Sequence, residues 1–232
     1  MAGETLKTEA ICLSIAPWSQ TSHVVKWLAR EGPIDAMVKG AARSKSFFLG
    51  QYDLNYLCEI VYYVRSRGGL HALRECSPLK LRESLRGDWR RLAAAEHFRE
   101  VAARLAAPGP GAADWFSLLD GALDRLERQG GSILQDIVSF ETRALALAGL
   151  EPAVEARTGV FALRGERSIP VREEVARCLD APERESDGKI LLDTARAIGV
   201  FYDFHLDGVP RTRRAALTAA TTQGQGKLYE EA

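Results

Sequence analysis

The sequence predicts an α+β protein: a small N-terminal five-stranded barrel, then an α-helical domain carrying a small inserted module. Three observations carry this. Residues 5–78 are rich in β-branched and aromatic side chains that alternate with polar ones. Residues 79–220 are rich in Ala, Leu, Arg and Glu, with apolar positions three and four apart. Within that second part, 151–185 loses the helical spacing and holds Gly159, Gly165, Pro170 and Pro182 between short apolar pieces. The expected domains are therefore 1–78, then 79–150 joined with 186–220, with 151–185 inserted and 221–232 a polar tail expected to be disordered. Ser77-Pro78 marks the change of texture.

The strands follow in order. Ala10 to Ile15 reads as the first, ended by Pro17. Val24 to Leu28 is the second, Glu31-Gly32-Pro33 a turn, and Ile34 to Val38 the third. Leu54 to Arg65 alternates most clearly: Cys58, Ile60, Tyr62 and Val64 share one face, Glu59, Val61, Tyr63 and Arg65 the other. Gly68-Gly69 turns the chain, and Leu70 to Cys76 returns as the fifth strand. Five short strands fit an OB-fold or an SH3-like barrel equally well.

A helix is expected over Leu79 to Ala107, stopped by Pro108-Gly109-Pro110-Gly111. On it Arg82, Arg86 and Arg90 would share a face. Asp114 reads as the N-cap of the next helix, and Ser132 with Gln135 as a capping box for a third that stops at Gly149. The insert reads as a small hairpin and one short helix. Asp187 caps a long helix carrying Ile190, Leu191, Thr194, Ile198, Phe201 and His205 inward, and Arg211 to Ala220 forms a last short one.

Composition narrows the function. The 232 residues hold 31 basic and 31 acidic side chains, a net charge of zero, with 46% hydrophobic residues, which excludes wholesale disorder and a globally basic chain. No apolar run is long enough to cross a membrane, and Met1 to Ala10 lacks a secretory layout, so a cytoplasmic protein is expected. Cys12, Cys58, Cys76 and Cys178 lie far apart without metal-finger spacing and read as buried thiols. Neither a phosphate loop nor a nucleophile elbow nor a zinc-protease motif occurs, and His23, His71, His97 and His205 are scattered, so no enzyme is expected. Glu173-Glu174 reads as a solvated face.

One segment has chemical character. No acid occurs between Asp35 and Asp53, while Lys39, Arg43 and Lys45 supply three positive charges beside Gly40, Ser44 and Ser46. Cations neutralise phosphates and small residues let a backbone approach. Phe47, Phe48 and Tyr52 follow and could stack on bases. Arg65, Arg67 and Arg74 form a second set at the fourth-to-fifth-strand hairpin, and Arg211, Arg213 and Arg214 a third. Binding to nucleic acid competes here with a second reading, a protein-interaction scaffold whose basic loops merely face solvent.

Three ordered stretches carry a resemblance. Ala16-Pro17-Trp18-Ser19-Gln20-Thr21-Ser22, Val38-Lys39-Gly40-Ala41-Ala42-Arg43-Ser44-Lys45-Ser46 and Arg67-Gly68-Gly69-Leu70-His71-Ala72-Leu73-Arg74-Glu75 are similar to segments of the RecO family of bacterial recombination mediators. Fainter matches are Phe140-Glu141 to Gly149-Leu150-Glu151-Pro152 and Leu206 to Arg213. The resemblance implies an OB-fold barrel binding single- and double-stranded DNA, strand annealing, and assistance to RecA loading with RecR, without nucleotide consumption. It implies contact with the acidic C-terminal tail of the single-stranded-DNA-binding protein, for which Arg125, Arg128 and Arg143 are the candidate residues, and a nucleoid-associated location. Many relatives hold zinc through four cysteines in the insert. Only Cys178 lies there in this chain, so no zinc and no other cofactor is expected. Gln20 stands where the family's motif has Glu.

Overall fold

The computed structural model describes residues 4–65, 69–128, 130–150, 153–155, 160–162, 168–206 and 208–222. Five strands form a closed barrel: β1 (Thr5–Pro17), β2 (His23–Ala29), β3 (Gly32–Val38), β4 (Leu57–Tyr63) and β5 (His71–Lys80), in the ring order β1-β2-β3-β5-β4. All neighbours are antiparallel except β3 and β5, which run parallel with Ala36 opposite His71. This is the OB-fold arrangement, which settles the choice between the two barrels that a strand count leaves open.

The alternation in the sequence is the alternation in burial. Leu57, Cys58, Ile60 and Tyr62 are buried, while Glu59 and Val61 are half-exposed and Tyr63 is exposed. The interior is filled by Val25, Trp27, Ile34, Val38, Tyr52, Tyr56, Ile60 and Leu73 with Cys12, Cys58 and Cys76. The three thiols are buried, as expected, and burial pushes the Cys12 thiol up. Gly32 closes the β2–β3 turn at φ +129°, and a Cβ there would stand 3.0 Å from Pro108 Cα, so only glycine fits.

The strand-to-helix change comes later than Ser77-Pro78. β5 continues through Pro78 to Lys80, because a register shift between Leu57 and Cys58 of β4 places Pro78 at a bulge, where proline is tolerated. Arg82 then takes φ +49°, incompatible with a helix, and Glu83–Gly87 forms a 3-10 turn. The first helix, α1, runs only over Trp89–Leu105, with Asp88 Oδ1 accepting from the Arg90 N–H at 3.0 Å. The expected stripe of Arg82, Arg86 and Arg90 therefore does not exist: Arg82 precedes the helix and is buried.

The remaining helices are α2 (Ala112–Glu127), α3 (Ile133–Leu147), α4 (Glu173–Asp180), α5 (Gly188–His205) and α6 (Arg213–Thr221). α2 starts two residues before Asp114, which sits inside its first turn rather than capping it. Ser132 caps α3 by accepting from Gln135 N–H, but Gln135 does not reach back. Its side-chain amide donates instead to Glu183 O at 3.0 Å and Glu185 O at 2.6 Å, holding the segment before α5. Asp187 caps α5 as expected. In the insert, β6 (Ala153–Glu155), β7 (Val160–Ala162) and β8 (Ser168–Pro170) form an antiparallel three-stranded sheet, one strand more than a hairpin.

The chain divides into two compact units. The first is Met1–Glu83 with Arg99–Asp124, and the second is Ser84–Phe98 with Arg125–Ala232. The cuts fall between Glu83 and Ser84, past the end of β5, and within α1 and α2.

Inside the first unit, Arg99 Nη1 donates to Leu13 O at 2.5 Å and the Arg30 guanidinium lies 4.4 Å from the Phe116 ring centre. Arg82 donates to Asn55 O at 2.6 Å and pairs with Asp120 and Asp124, which also hold Lys80 at 3.1 and 2.8 Å. Burial alone would raise the Asp124 carboxyl, but hydrogen bonds from Lys80 and Arg82 outweigh it and hold the group below its ordinary value.

Inside the second unit, Phe98 stacks on Phe140 at 4.3 Å. Leu134, Val138, Leu191, Ile198, Phe201 and Tyr202 make the core with Cys178. Glu141, fully buried, accepts from His97 Nε2 at 2.8 Å and from Arg213 Nε at 2.6 Å.

Candidate nucleic-acid interface

The β3–β4 connection, 39–56, is a chain of turns held at both ends by the barrel. Gly40 adopts φ +69°, which glycine takes without strain, and the turn it opens is closed by Arg43 N–H to Gly40 O at 3.2 Å. Two hydrogen bonds tie this connection to the β1–β2 loop: Ala42 N–H to Thr21 O at 3.1 Å and Gly40 N–H to Ser22 Oγ at 3.3 Å. Trp18 N–H to Ser22 O at 2.8 Å closes the β1–β2 loop on itself. The two loops thus form one surface at the end of the barrel where Pro17, His23 and Val38 lie side by side.

On this surface Lys39, Arg43, Ser44 and Lys45 are all exposed. Among the described residues none of the three cations is held by an ion pair or a side-chain hydrogen bond. By contrast Lys7 is matched with Glu59 at 2.8 Å, Lys26 with Asp35 at 3.0 Å and Arg30 with Glu9 at 2.9 Å. The loop therefore carries unneutralised positive charge, whereas these three pairs cancel.

The three aromatic candidates separate. Phe47 is 96% exposed. Phe48 is half-buried against the barrel core, its N–H bonded to Ser46 Oγ at 3.2 Å. Tyr52 is buried, meets Trp27 edge-on at 6.0 Å and is hydrogen-bonded through its hydroxyl to His23 Nδ1 at 2.8 Å. Tyr52 cannot stack on a base: it is part of the core, because the barrel mouth needed a large side chain with a polar tip. A residue passed over in sequence is Trp18, which is 62% exposed on the β1–β2 loop. The signal was there: an aromatic set after a strand-ending proline and among Ser, Gln and Thr has no apolar partner to bury it.

Of the hairpin set, Arg65 is exposed and its N–H donates to His71 Nδ1 at 3.2 Å. Arg67 lies outside the described residues. Arg74 is paired with Glu75 at 3.2 Å and sits 5.8 Å from the Tyr63 ring centre. Lys39 and Arg74 each lie two residues beyond the last β3–β5 pair, Met37 with Ala72, at matching positions of the parallel register.

The second group of candidates is largely neutralised. Arg125 is turned to Asp136 at 3.3 Å, and Arg143 to Glu183 at 3.6 Å. Arg128 is exposed and offers its carbonyl to Arg91 Nη1 at 2.8 Å. A cleft of about 520 Å³ lies between α4 and the start of α5, lined by Glu174, Arg177, Cys178, Asp180, Arg184 and Glu185. Its charges are mixed in sign, and none of the three candidate arginines lines it. Cys178 at its base is buried, and burial raises its thiol despite a hydrogen bond with Thr194.

Residues 1–82 match the family described as "Recombination protein O N terminal", and residues 86–180 match "Recombination protein O C terminal". The chain is 31% identical over 163 residues to the DNA repair protein RecO of Rhodopirellula baltica, covering 68% of this chain and 58% of that protein. It is 30% identical over 167 residues to the DNA repair protein RecO of Anaeromyxobacter sp. (strain K), covering 72% and 65%. It is 27% identical over 149 residues to that of Alkaliphilus metalliredigens, covering 63% and 59%. The alignments thus span a little over half the length of these curated relatives.

Proposed function

The chain belongs to the recombination protein O family, and from that premise we propose that it mediates DNA repair and homologous recombination by binding DNA rather than by catalysis. The observation that carries this is the loop surface of Lys39, Arg43 and Lys45, three exposed cations without partners among the described residues. Phosphates laid across it would release counterions, a favourable term that weakens with salt. Ser44 adds a neutral hydroxyl, and in this proposal Arg65, Arg67 and Arg74 supply further phosphate contacts. Two backbones held side by side on neutralised ground repel each other less, which is the requirement for annealing complementary strands.

On the same reading the protein works in the cytoplasm, at the nucleoid, with RecR, and helps RecA load onto coated single strands. In this proposal Arg125, Arg128 and Arg143 receive the acidic tail of the single-stranded-DNA-binding protein. Arg143 gives up only a long, half-exposed contact with Glu183 to do so. No described helix is long and apolar enough to cross a membrane.

The test is the salt dependence of single-strand binding by Lys39→Ala/Arg43→Ala/Lys45→Ala. Each lost phosphate contact reduces the log–log slope by about 0.7, so the triple variant is expected to lose about 2. An unchanged slope in a folded variant overturns the assignment. A strand-pairing assay on the same variant then separates annealing from binding. For the tail, equal affinity of a labelled acidic peptide for the wild type and Arg143→Ala would count against that placement.

A further inference from the structure

We propose that Trp18 and Phe47 form a base-stacking ridge that makes this loop surface prefer single-stranded over double-stranded DNA. The inference rests on the DNA-binding reading and adds what that reading lacks, a means of telling the two forms apart. Cations alone do not supply one, because both forms present phosphates.

Phe47 and Trp18 are among the most exposed large apolar side chains on the described surface, at 96% and 62%. Side chains this exposed contribute little to a core; what sets these two apart is that they sit on two joined loops that also carry the cations. Neither sits on an untethered tip. Phe48 is packed against the barrel core and its N–H is bonded to Ser46 Oγ, so the neighbouring Phe47 is turned outward. The backbone at Trp18 is tied by its N–H to Ser22 O at 2.8 Å. The loops that carry them are joined through Ala42 to Thr21 and Gly40 to Ser22, with Lys39, Arg43 and Lys45 on the same connection as Phe47. The surface therefore offers exposed aromatic faces on tied backbone, on loops whose cations have no partner among the described residues, the combination that binds single strands without sequence preference. In a duplex each base face is already covered by its neighbours, so the aromatics gain nothing there while the cations still do.

The test compares a 30-nucleotide single strand with a blunt duplex of the same length, using Trp18→Ala, Phe47→Ala and the triple cation variant. Each aromatic substitution is expected to weaken single-strand binding about tenfold, the scale of losing one stacked base, and to leave duplex binding within about twofold. Trp18→Phe and Phe47→Tyr should restore it. In a Trp89→Phe background, which removes the other exposed tryptophan, single strand should quench Trp18 emission and duplex should not. If the aromatic variants bind both forms like the wild type, or lose both equally, the ridge is overturned while the DNA reading stands. If the cation variant binds both forms like the wild type, the DNA reading itself falls.

Discussion

Arg82 and Arg213 differ from Lys39, Arg43 and Lys45 in one respect that the sequence does not display: their charge is already committed. Arg82 is buried and shared between Asp120, Asp124 and the Asn55 carbonyl. Arg213 is buried against Glu141 and the Ala195 carbonyl. The loop cations stand in water with no partner among the described residues. Ion pairing in a dry interior is a matter of folding, since an unpaired charge there costs several kcal/mol. The same charge in water costs nothing to leave free and stays available to a ligand. A count of basic residues mixes the two, which is why a chain of zero net charge can still present a cationic surface.

The comparison breaks most visibly at Arg213. Arg213→Ala leaves Glu141 fully buried with only His97 beside it, and the expected loss is about 3–5 kcal/mol, read from urea unfolding. Arg82→Ala should cost less, about 2 kcal/mol, because Asp120 and Asp124 are partly exposed and water can take over. A loss at either position no larger than that of a surface substitution would mean the buried pairing does not hold the fold.

Acid sharpens the same contrast. Burial by itself would raise the Glu141 carboxyl, but Arg213 and His97 hold it below its ordinary value, as Lys80 and Arg82 do for Asp124. A carboxyl depressed in the folded state stabilises fully above its unfolded pKa and loses that contribution as pH falls through the folded one. Stability should therefore fall on acidification below about pH 4.5, the ordinary value for Glu. Glu141→Gln should flatten that acid limb, measured as unfolding midpoint against pH. An unaltered acid limb would remove Glu141 from the account.

The smallest effect belongs to the free cations. Lys45→Ala should leave the unfolding midpoint in place and reduce the single-strand salt slope by about 0.7. Arg74→Ala should reduce it less, since Arg74 already has Glu75 at 3.2 Å. A larger effect at Arg74 than at Lys45 would invert the ranking of paired and unpaired charge.

The barrel was legible because strand periodicity is local. Cys58, Ile60 and Tyr62 are inward in sequence and in structure for the same reason, a side-chain repeat of two. The loop cations were legible too, because a run without acids from 36 to 52 leaves no nearby partner in the chain. The start of α1 was not legible. Pro78 looked like a boundary, and only the bulge opposite Leu57 and Cys58 lets the strand pass through it. Tyr52 failed as a stacking residue for a similar reason, since its partners Trp27 and His23 come from another strand.

By itself, then, the sequence determined the α+β class, five strands, the Ser132 and Asp187 caps of α3 and α5 and a basic loop, all of which depend on neighbours within a few positions. Tertiary structure alone decided the ring order of the strands, the fate of each arginine and which aromatics face water. Those depend on residues brought together from far along the chain: Arg82 finds Asp120 and Asp124 38 and 42 positions away, and Arg213 finds Glu141 72 positions away. Local pattern fixes which way a side chain points. Only the packed chain supplies what it meets there, and for a charged group that decides between holding the fold and meeting a ligand.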